Sequence, residues 1–258
     1  MADLRFLVGA GSPLGGARPK AAVSLVDGRL ALAKFPKPDD TRDIASGEVL
    51  ALTLAADAGI HVVEHRLVPA GRHSVAVITR FDRAGNVRIP FLSGASLLGI
   101  SQGDPGAYTL LADAIRQFGH DVASDLRELW RRLLFSLLAS NYDDHLRNHG
   151  FLMHQAGRWS LSPAYDLNPV PEIDRVRGSK TPISEEQEEP SIAGALAVAG
   201  RFGIRAPETK GILREVFTSV SAWRRTGGRL RLKGATLDAY ASAFEHELMD
   251  EARNLLGK

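Results

Sequence analysis

The residues Leu126, Leu129, Trp130, Leu133, Leu134, Leu137 and Leu138 fall at i, i+3, i+4, i+7, i+8, i+11 and i+12. This period places all of them on one side of an α-helix, as an apolar stripe that other elements must cover. Ser124 reads as the helix N-cap and Asp125 as an acidic partner of its positive end. The helix is followed at once by "SNYDDHLRNHGFL", Ser140 to Leu152, a run dense in Asp, Asn, His and Arg. Such a polar run between two core elements is a metal site, a phosphoryl-transfer loop or an ordinary polar loop.

Metal chemistry is narrowed by composition. The 258 residues include no cysteine, which excludes thiolate zinc sites and thiol nucleophiles and fits a reducing cytoplasm. His145 and His149, like His61 and His65, sit at i, i+4. Only a helix brings such pairs together, and 61–65 reads as strand. No apolar run approaches the ~20 residues of a membrane span, so no membrane role is expected. The net charge of +2 points only faintly to nucleic acid.

The phosphoryl-transfer reading draws on the whole chain. "HGFLMH", "QAG" and "RWSLSP" read as a hairpin, with Asn148 just before its first strand and Asp166 just after its second. Antiparallel pairing returns both to the open end of the hairpin, with Asp143 in the loop leading in. Oxygen ligands of this kind suit Mg²⁺ shared with phosphates, and another aspartate is available to take a proton from a hydroxyl. The order Asp-x₄-Asn, hairpin, Asp is the one phosphotransferases use. Asp144 is the rival base, but its spacing to Asn148 is one short, and its loss is expected to matter least.

The first third supplies the rest. "GAGSPLGGARPK" reads as a Gly-rich loop whose Gly15 and Gly16 approach phosphates. "AAVSLV", Asp27-Gly28 and "RLALAKF" read as a hairpin with a type I′ turn, putting Lys34 on a strand. "TRDIASGEVLALTLAADAG" reads as a helix ending at Gly59, where Glu48 is placed to pair with Lys34. A second hairpin spans "HVVEHRLV" to "HSVAVITRF", and from Ser93 the pattern turns helical. "SEEQEEP" reads as a solvated, mobile segment.

Here the sequence resembles a known family. "SPLGGARPKAAV", "LALAKFP", "ITRFDR", "SNYDDHLRNHGF" and "LSPAYDLNPVP" look like the HipA-type serine/threonine kinases of bacterial toxin–antitoxin systems, from about Gly9 to Pro171. The resemblance implies ATP with Mg²⁺ and a protein substrate such as an aminoacyl-tRNA synthetase. It makes Lys34 the phosphate-contacting lysine, Asp143 the catalytic aspartate, and Asn148 and Asp166 the metal ligands. Thr79, Arg80 and Phe81 become the adenine-facing hinge. His145 is expected to brace the catalytic loop through hydrogen bonds, on the nucleotide side. Ser12 matches a serine that relatives phosphorylate on themselves. Those relatives usually carry another small N-terminal subdomain. A separate chain is expected to supply it, unless this is a shortened form. An antitoxin, with DNA reached only through it, is the implied partner.

The expected fold is α+β, protein-kinase-like and two-lobed: a strand-rich N-lobe over residues 1–83 and a mostly helical C-lobe over 84–258. The expected function is ATP-dependent phosphorylation of a protein Ser or Thr in the cytoplasm. The rivals are a small-molecule phosphotransferase and a non-catalytic binding module in an antitoxin–DNA complex.

Overall fold

The computed structural model describes residues 18–71, 73–101, 104–175 and 180–257. Its first layer is an antiparallel sheet of β1 (Lys20–Ser24), β2 (Leu30–Lys34), β3 (His65–Ala70) and β4 (His73–Thr79), in the order β1-β2-β4-β3. Helix α1 (Ile44–Asp57) lies on one face. Asp43 caps it by accepting from the Ser46 N–H at 3.0 Å. It ends at Ala58, and Gly59 follows with a φ of 78°, the left-handed conformation that stops a helix and suits glycine. Leu50 and Leu54 of α1 pack with Ala76 and Ile78 of β4. On the other face Ala31, Ala33, Phe35, Val75 and Val77 form a smaller cluster. Strand alternation therefore leaves Leu32 and Lys34 on the α1 side.

The first hairpin turn differs from the expected type I′. Leu25 donates to Arg29 O at 2.8 Å and Gly28 to Leu25 O at 3.0 Å, closing a three-residue loop with Gly28 at φ 82°. Asp27 instead accepts from the Arg29 backbone N–H at 3.0 Å and guanidinium at 2.7 Å. This side-chain pairing favours the longer loop.

Two short strands, β5 (Arg83–Ala84) and β6 (Val87–Arg88), lead into β7 (Phe91–Ser93). Helices α2 (Gly94–Leu98), α3 (Tyr108–Phe118) and α4 (Val122–Leu138) follow, then the hairpin β8 (Gly150–Gln155) and β9 (Arg158–Leu161). β7 adds to β8, making a three-stranded sheet where the sequence pattern suggests only a hairpin. Three residues are too few to show alternation; the open edge of β8 recruits them. Helices α5 (Ile192–Ala197), α6 (Ala206–Ser221), α7 (Trp223–Arg229), α8 (Gly234–Ala239), α9 (Ala241–Phe244) and α10 (Glu247–Leu255) complete the chain. Segment 184–190 keeps its glutamates exposed, with Ser184 buried and Thr109 donating to Glu185.

The stripe of α4 is core, with Leu129, Trp130, Leu133 and Leu134 fully buried. Its cap is Asp121, not Ser124, whose N–H is the donor to Asp121 at 3.3 Å. Asp125 is 8% exposed and accepts from the Leu161 N–H of β9 at 3.1 Å. It sits in the first turn of α4, as expected, and also anchors a strand. Burial pushes its pKa up to about 6, against the opposing pull of Leu161 N–H and Arg132. A folded-state pKa above the ordinary ~3.9 of aspartate favours the fold fully at the acid end and less as pH rises. Wild-type thermal stability is expected to lose this contribution as pH rises from ~4 through about 6. Asp125→Asn, still able to accept from Leu161, should flatten the melting profile over that range. A variant profile identical to wild type would assign the titration elsewhere.

Candidate active site

The polar loop begins where α4 stops. Asn141 donates its N–H to Ser136 O at 2.9 Å around Ser140, whose φ is 49°. This is a Schellman-type termination with serine in the position glycine usually fills, at a cost of about 1–2 kcal/mol. Neighbours impose the geometry. Val170 donates to Ser140 O at 2.9 Å, and Arg175 donates to Ser140 Oγ at 2.9 Å. Asn141 Oδ1 accepts from the Asn168 N–H at 3.0 Å. The loop after α4 and the segment after β9 are thus laced together.

The two adjacent aspartates face opposite environments. Asp144 is 3% exposed and accepts from Tyr108, and from Ser136 Oγ at 3.0 Å. His149 Nε2 stands 3.1 Å from its other oxygen, and the His149 ring meets Tyr108 edge-on. Burial pushes the Asp144 carboxyl up, but His149, Tyr108 and Ser136 outweigh it and hold it below the usual range. Asp143 is 49% exposed, with Lys180 as its ion-pair partner. Asn148 donates its side-chain amide to Asp143 O at 3.3 Å, which leaves its amide oxygen for a ligand.

Across from this loop, Lys34 Nζ lies 2.5 Å from Glu48 Oε1 and 2.9 Å from Asp166 Oδ1. Strand β2 supplies the lysine, α1 the glutamate, and the turn after β9 the aspartate. Burial works against the lysine's charge, but Glu48 and Asp166 overcome it and hold its pKa above the ordinary value. Burial raises Asp166 too, yet Lys34 and Asn168 bring it below the usual range. For Glu48 burial wins, and its pKa is raised despite Lys34. Asp166 has a φ of 57°, an unusual backbone for a residue with a side chain. Asn168 holds it there, donating its amide to Asp166 O and Oδ1, each at 3.1 Å. Such locally strained residues cluster at functional sites.

Removing the lysine leaves Glu48 buried beside a second carboxylate. Lys34→Met is expected to lose about 1–2 kcal/mol of stability at pH 7, with part of the penalty shed by protonation of Glu48. Because Glu48 is shifted upward, the variant should be most stable at acid pH and weaken as pH rises. Thermal melts of variant and wild type across pH would check this. Parallel profiles would count against a charged Glu48–Lys34 pair.

The segment 79–81 joins the N-terminal sheet to the helical part. The Thr79 N–H donates to Glu64 O and the Arg80 N–H to Leu30 O, each at 2.8 Å. The Phe81 N–H is left without a backbone acceptor among the described residues. The Phe81 ring lies 5.3 Å from Tyr165 and 6.1 Å from Phe91. Arg80 is turned away, paired with Asp82 at 2.5 Å. His145 does not brace the loop through hydrogen bonds of its ring as expected: its buried Nδ1 has no hydrogen-bond partner among the described residues. Ser12, Gly15 and Gly16 lie outside the described residues.

Zinc finds no support in the paired histidines. His65 places Nδ1 2.8 Å from Val63 O and Nε2 3.1 Å from Thr53 Oγ1, and His149 is committed to Asp144. Among the described residues no three His, Asp or Glu side chains form a metal cage. Mg²⁺ makes a different demand, since it is commonly held by one or two side chains together with phosphates. The Asn148 amide oxygen and the part-exposed Asp166 carboxylate are oxygens of the kind it takes.

Tyr108, Asn168, Arg175 and Lys180 also join the site, though they do not stand out in the sequence. The Asn168-Pro169 pair is a turn signal that marks Asn168. The others come from distant segments and carry no local signal.

The four-stranded sheet, α1 and the helices beyond them make a protein-kinase-like fold. The chain belongs to the HipA-like C-terminal domain family, whose model matches residues 12–223. A candidate kinase of Haemophilus influenzae is 31% identical over 156 residues, covering 54% of this chain and 46% of that protein. One of Sinorhizobium fredii is 31% identical over 148 residues, covering 51% and 36%. The chain thus spans less than half the length of these relatives. Among solved structures, HipA of Shewanella oneidensis, in complex with HipB and operator DNA, superposes with a TM-score of 0.74 at 17% identity. That match covers 95% of this chain and 65% of HipA. The Helicobacter pylori proinflammatory kinase CtkA gives 0.60 at 16% identity, covering 95% and 94%.

Proposed function

We propose that this protein is an ATP-dependent serine/threonine kinase of HipA type, acting in the cytoplasm. The observation that carries this reading is Lys34 held between Glu48 and Asp166, residues 14 and 132 positions away. Asp143 accepts the proton of the incoming hydroxyl. The hydroxyl oxygen bonds to the γ-phosphorus as the bond to the bridging oxygen of ADP breaks. Lys34 holds phosphate oxygens in place, and Glu48 holds Lys34. Asn148 and Asp166 are the residues that would hold Mg²⁺, which supplies positive charge against the phosphates when bound. The Phe81 N–H and the carbonyls of 79–81 offer groups for the adenine, and the unpartnered His145 Nδ1 is a polar group on the nucleotide side. Catalysis comes mainly from positioning and electrostatics.

In this reading residues 1–83 act as the N-lobe and 84–258 as the C-lobe, with the nucleotide between them. Gly15 and Gly16 cover the phosphates, and Ser12 is the self-modified serine that switches the enzyme off. The substrate is a protein such as an aminoacyl-tRNA synthetase. An antitoxin, and DNA through it, are the partners that the family kinship suggests. Calorimetric titration with ATP, with and without Mg²⁺, tests the nucleotide site. Labelled ATP offered with protein and small-molecule acceptors then tests the reaction. Mg²⁺-dependent binding with label in a Ser or Thr is the expected result; label only in small molecules would overturn the protein-kinase reading.

A further inference from the structure

Lys180 stands 37 residues after Asp143, yet its ammonium is the ion-pair partner of that carboxylate. The surrounding backbone makes this meeting a product of the fold. The Lys180 N–H donates to the carbonyl of Tyr142, the residue before Asp143, at 3.4 Å. Two residues on, Pro182 O accepts from the Tyr108 N–H, at the start of α3, at 3.0 Å. Ile183 is 2% exposed and belongs to the core. The segment that carries Lys180 is thus anchored against the loop, while the two paired side chains stay about half exposed. Such a pair contributes little to stability, so stability does not account for its placement.

At rest, Asp143 neutralises the ammonium. When Asp143 accepts the proton of the attacking hydroxyl, its negative charge disappears and the ammonium beside it loses its counter-charge. In the same step the hydroxyl oxygen bonds to the γ-phosphorus and the bond to the bridging oxygen of ADP breaks. Negative charge is then spread over the three equatorial oxygens of the transferring group. A hydroxyl donating to Asp143 lies ~3 Å from it, which brings the phosphoryl oxygens within reach of a flexible lysine stem. An ammonium has three donors, so one can stay on Asp143 while another turns to a phosphoryl oxygen. We propose that Lys180 is a catalytic residue of the transfer, its ammonium contacting the phosphoryl group as that group passes to the acceptor. It keeps its own protons throughout. This assignment rests on the reading of Asp143 as the proton acceptor of a kinase cleft. It also separates the two lysines: Lys34, held by Glu48 and Asp166, serves the bound nucleotide, and Lys180 serves the reaction. A contact that strengthens only as the phosphoryl group moves raises the rate without tightening nucleotide binding.

The test compares wild type, Lys180→Met and Lys180→Arg in the full chain. Calorimetry measures binding of Mg-ATP and of Mg-ADP with aluminium fluoride, a mimic of the transferring phosphoryl group. Single-turnover release of labelled phosphate from Mg-ATP, with water in place of the acceptor, measures the reaction. Lys180→Met should bind the mimic about 10- to 100-fold more weakly and react more slowly by a similar factor, below the range for a fully enclosed donor because water screens this one. Its Mg-ATP affinity and ligand-free melting temperature should match wild type, and Lys180→Arg should recover most of the affinity for the mimic. Unchanged affinity for the mimic in Lys180→Met would overturn the proposal while leaving Asp143 and the nucleotide site as assigned. Faster release by Lys180→Met would also overturn it, and would make the ion pair a lock on Asp143. Equal losses for Mg-ATP and the mimic, with a lower melting temperature, would make Lys180 a residue of the fold and overturn the proposal. Failure of wild type itself to bind Mg-ATP would remove the kinase reading and this proposal together.

Discussion

Asp143→Asn is expected to lower phosphotransfer by about 10²–10⁴-fold, the usual contribution of a positioned proton acceptor. Mg-ATP affinity and thermal stability should stay near wild type. The carboxylate is half exposed and, among the described residues, paired with a half-exposed lysine, an arrangement worth little to the fold. Loss of turnover without loss of ligand binding is the signature of a group needed mainly in the transition state. The measurement pairs single-turnover phosphotransfer with calorimetric ATP binding on the same folded sample. Full transfer by Asp143→Asn would remove the catalytic assignment. Asp166→Asn provides the contrast, because it should lose the Mg²⁺-dependent part of nucleotide affinity as well.

Asp144→Ala is expected to be the most destabilising substitution in the loop, by about 3–5 kcal/mol, the typical result of removing one partner from a buried charged network. It would strand the hydroxyls of Tyr108 and Ser136 inside the protein and leave the His149 ring without its carboxylate. At roughly 2–4 °C per kcal/mol for a domain of this size, the melting temperature should fall by about 6–20 °C. The wild-type contribution should itself fade as pH drops, because the Asp144 carboxyl is held below its ordinary range. Differential scanning calorimetry on both proteins between acid and neutral pH reads both effects. A melting temperature within a degree of wild type would mean that the network carries no stability. The spacing argument makes Asp144 the more dispensable aspartate for chemistry, whereas its burial makes it indispensable to the loop.

Residues whose roles depend on local pattern were legible in the sequence. The stripe of α4, the helix carrying Glu48 and the strand position of Lys34 all follow from periodicity, and tertiary packing then covers the surfaces periodicity exposes. The two-lobed α+β fold was readable for the same reason, reinforced by the order of its motifs. Legibility stopped where distant segments meet. Nothing near Tyr108 announces that its hydroxyl will reach Asp144, 36 residues on. The three-residue β7 exists only because β8 leaves an edge to pair with. Asp125 illustrates the same limit: the pattern places it near a helix start, but its partner is a strand whose position no local rule supplies.

The sheet and α1 are tied closely to the helices beyond them. Val62 and Ala164 form an isolated parallel bridge, with Val63 donating to Ala164 O at 3.0 Å and Ala164 to His61 O at 2.7 Å. It links the chain just beyond α1 to the chain two residues before Asp166, and it is one tie among several. Ser219 of α6 donates to Leu54 O at 2.6 Å, Arg131 of α4 to Ala58 O at 2.7 Å and Tyr240 to Asp43 O at 3.0 Å. The apolar core likewise runs unbroken from α1 into α4 and α6. Parts that share one core lose it together, so the sheet with its helix and the helices beyond should melt in a single cooperative transition.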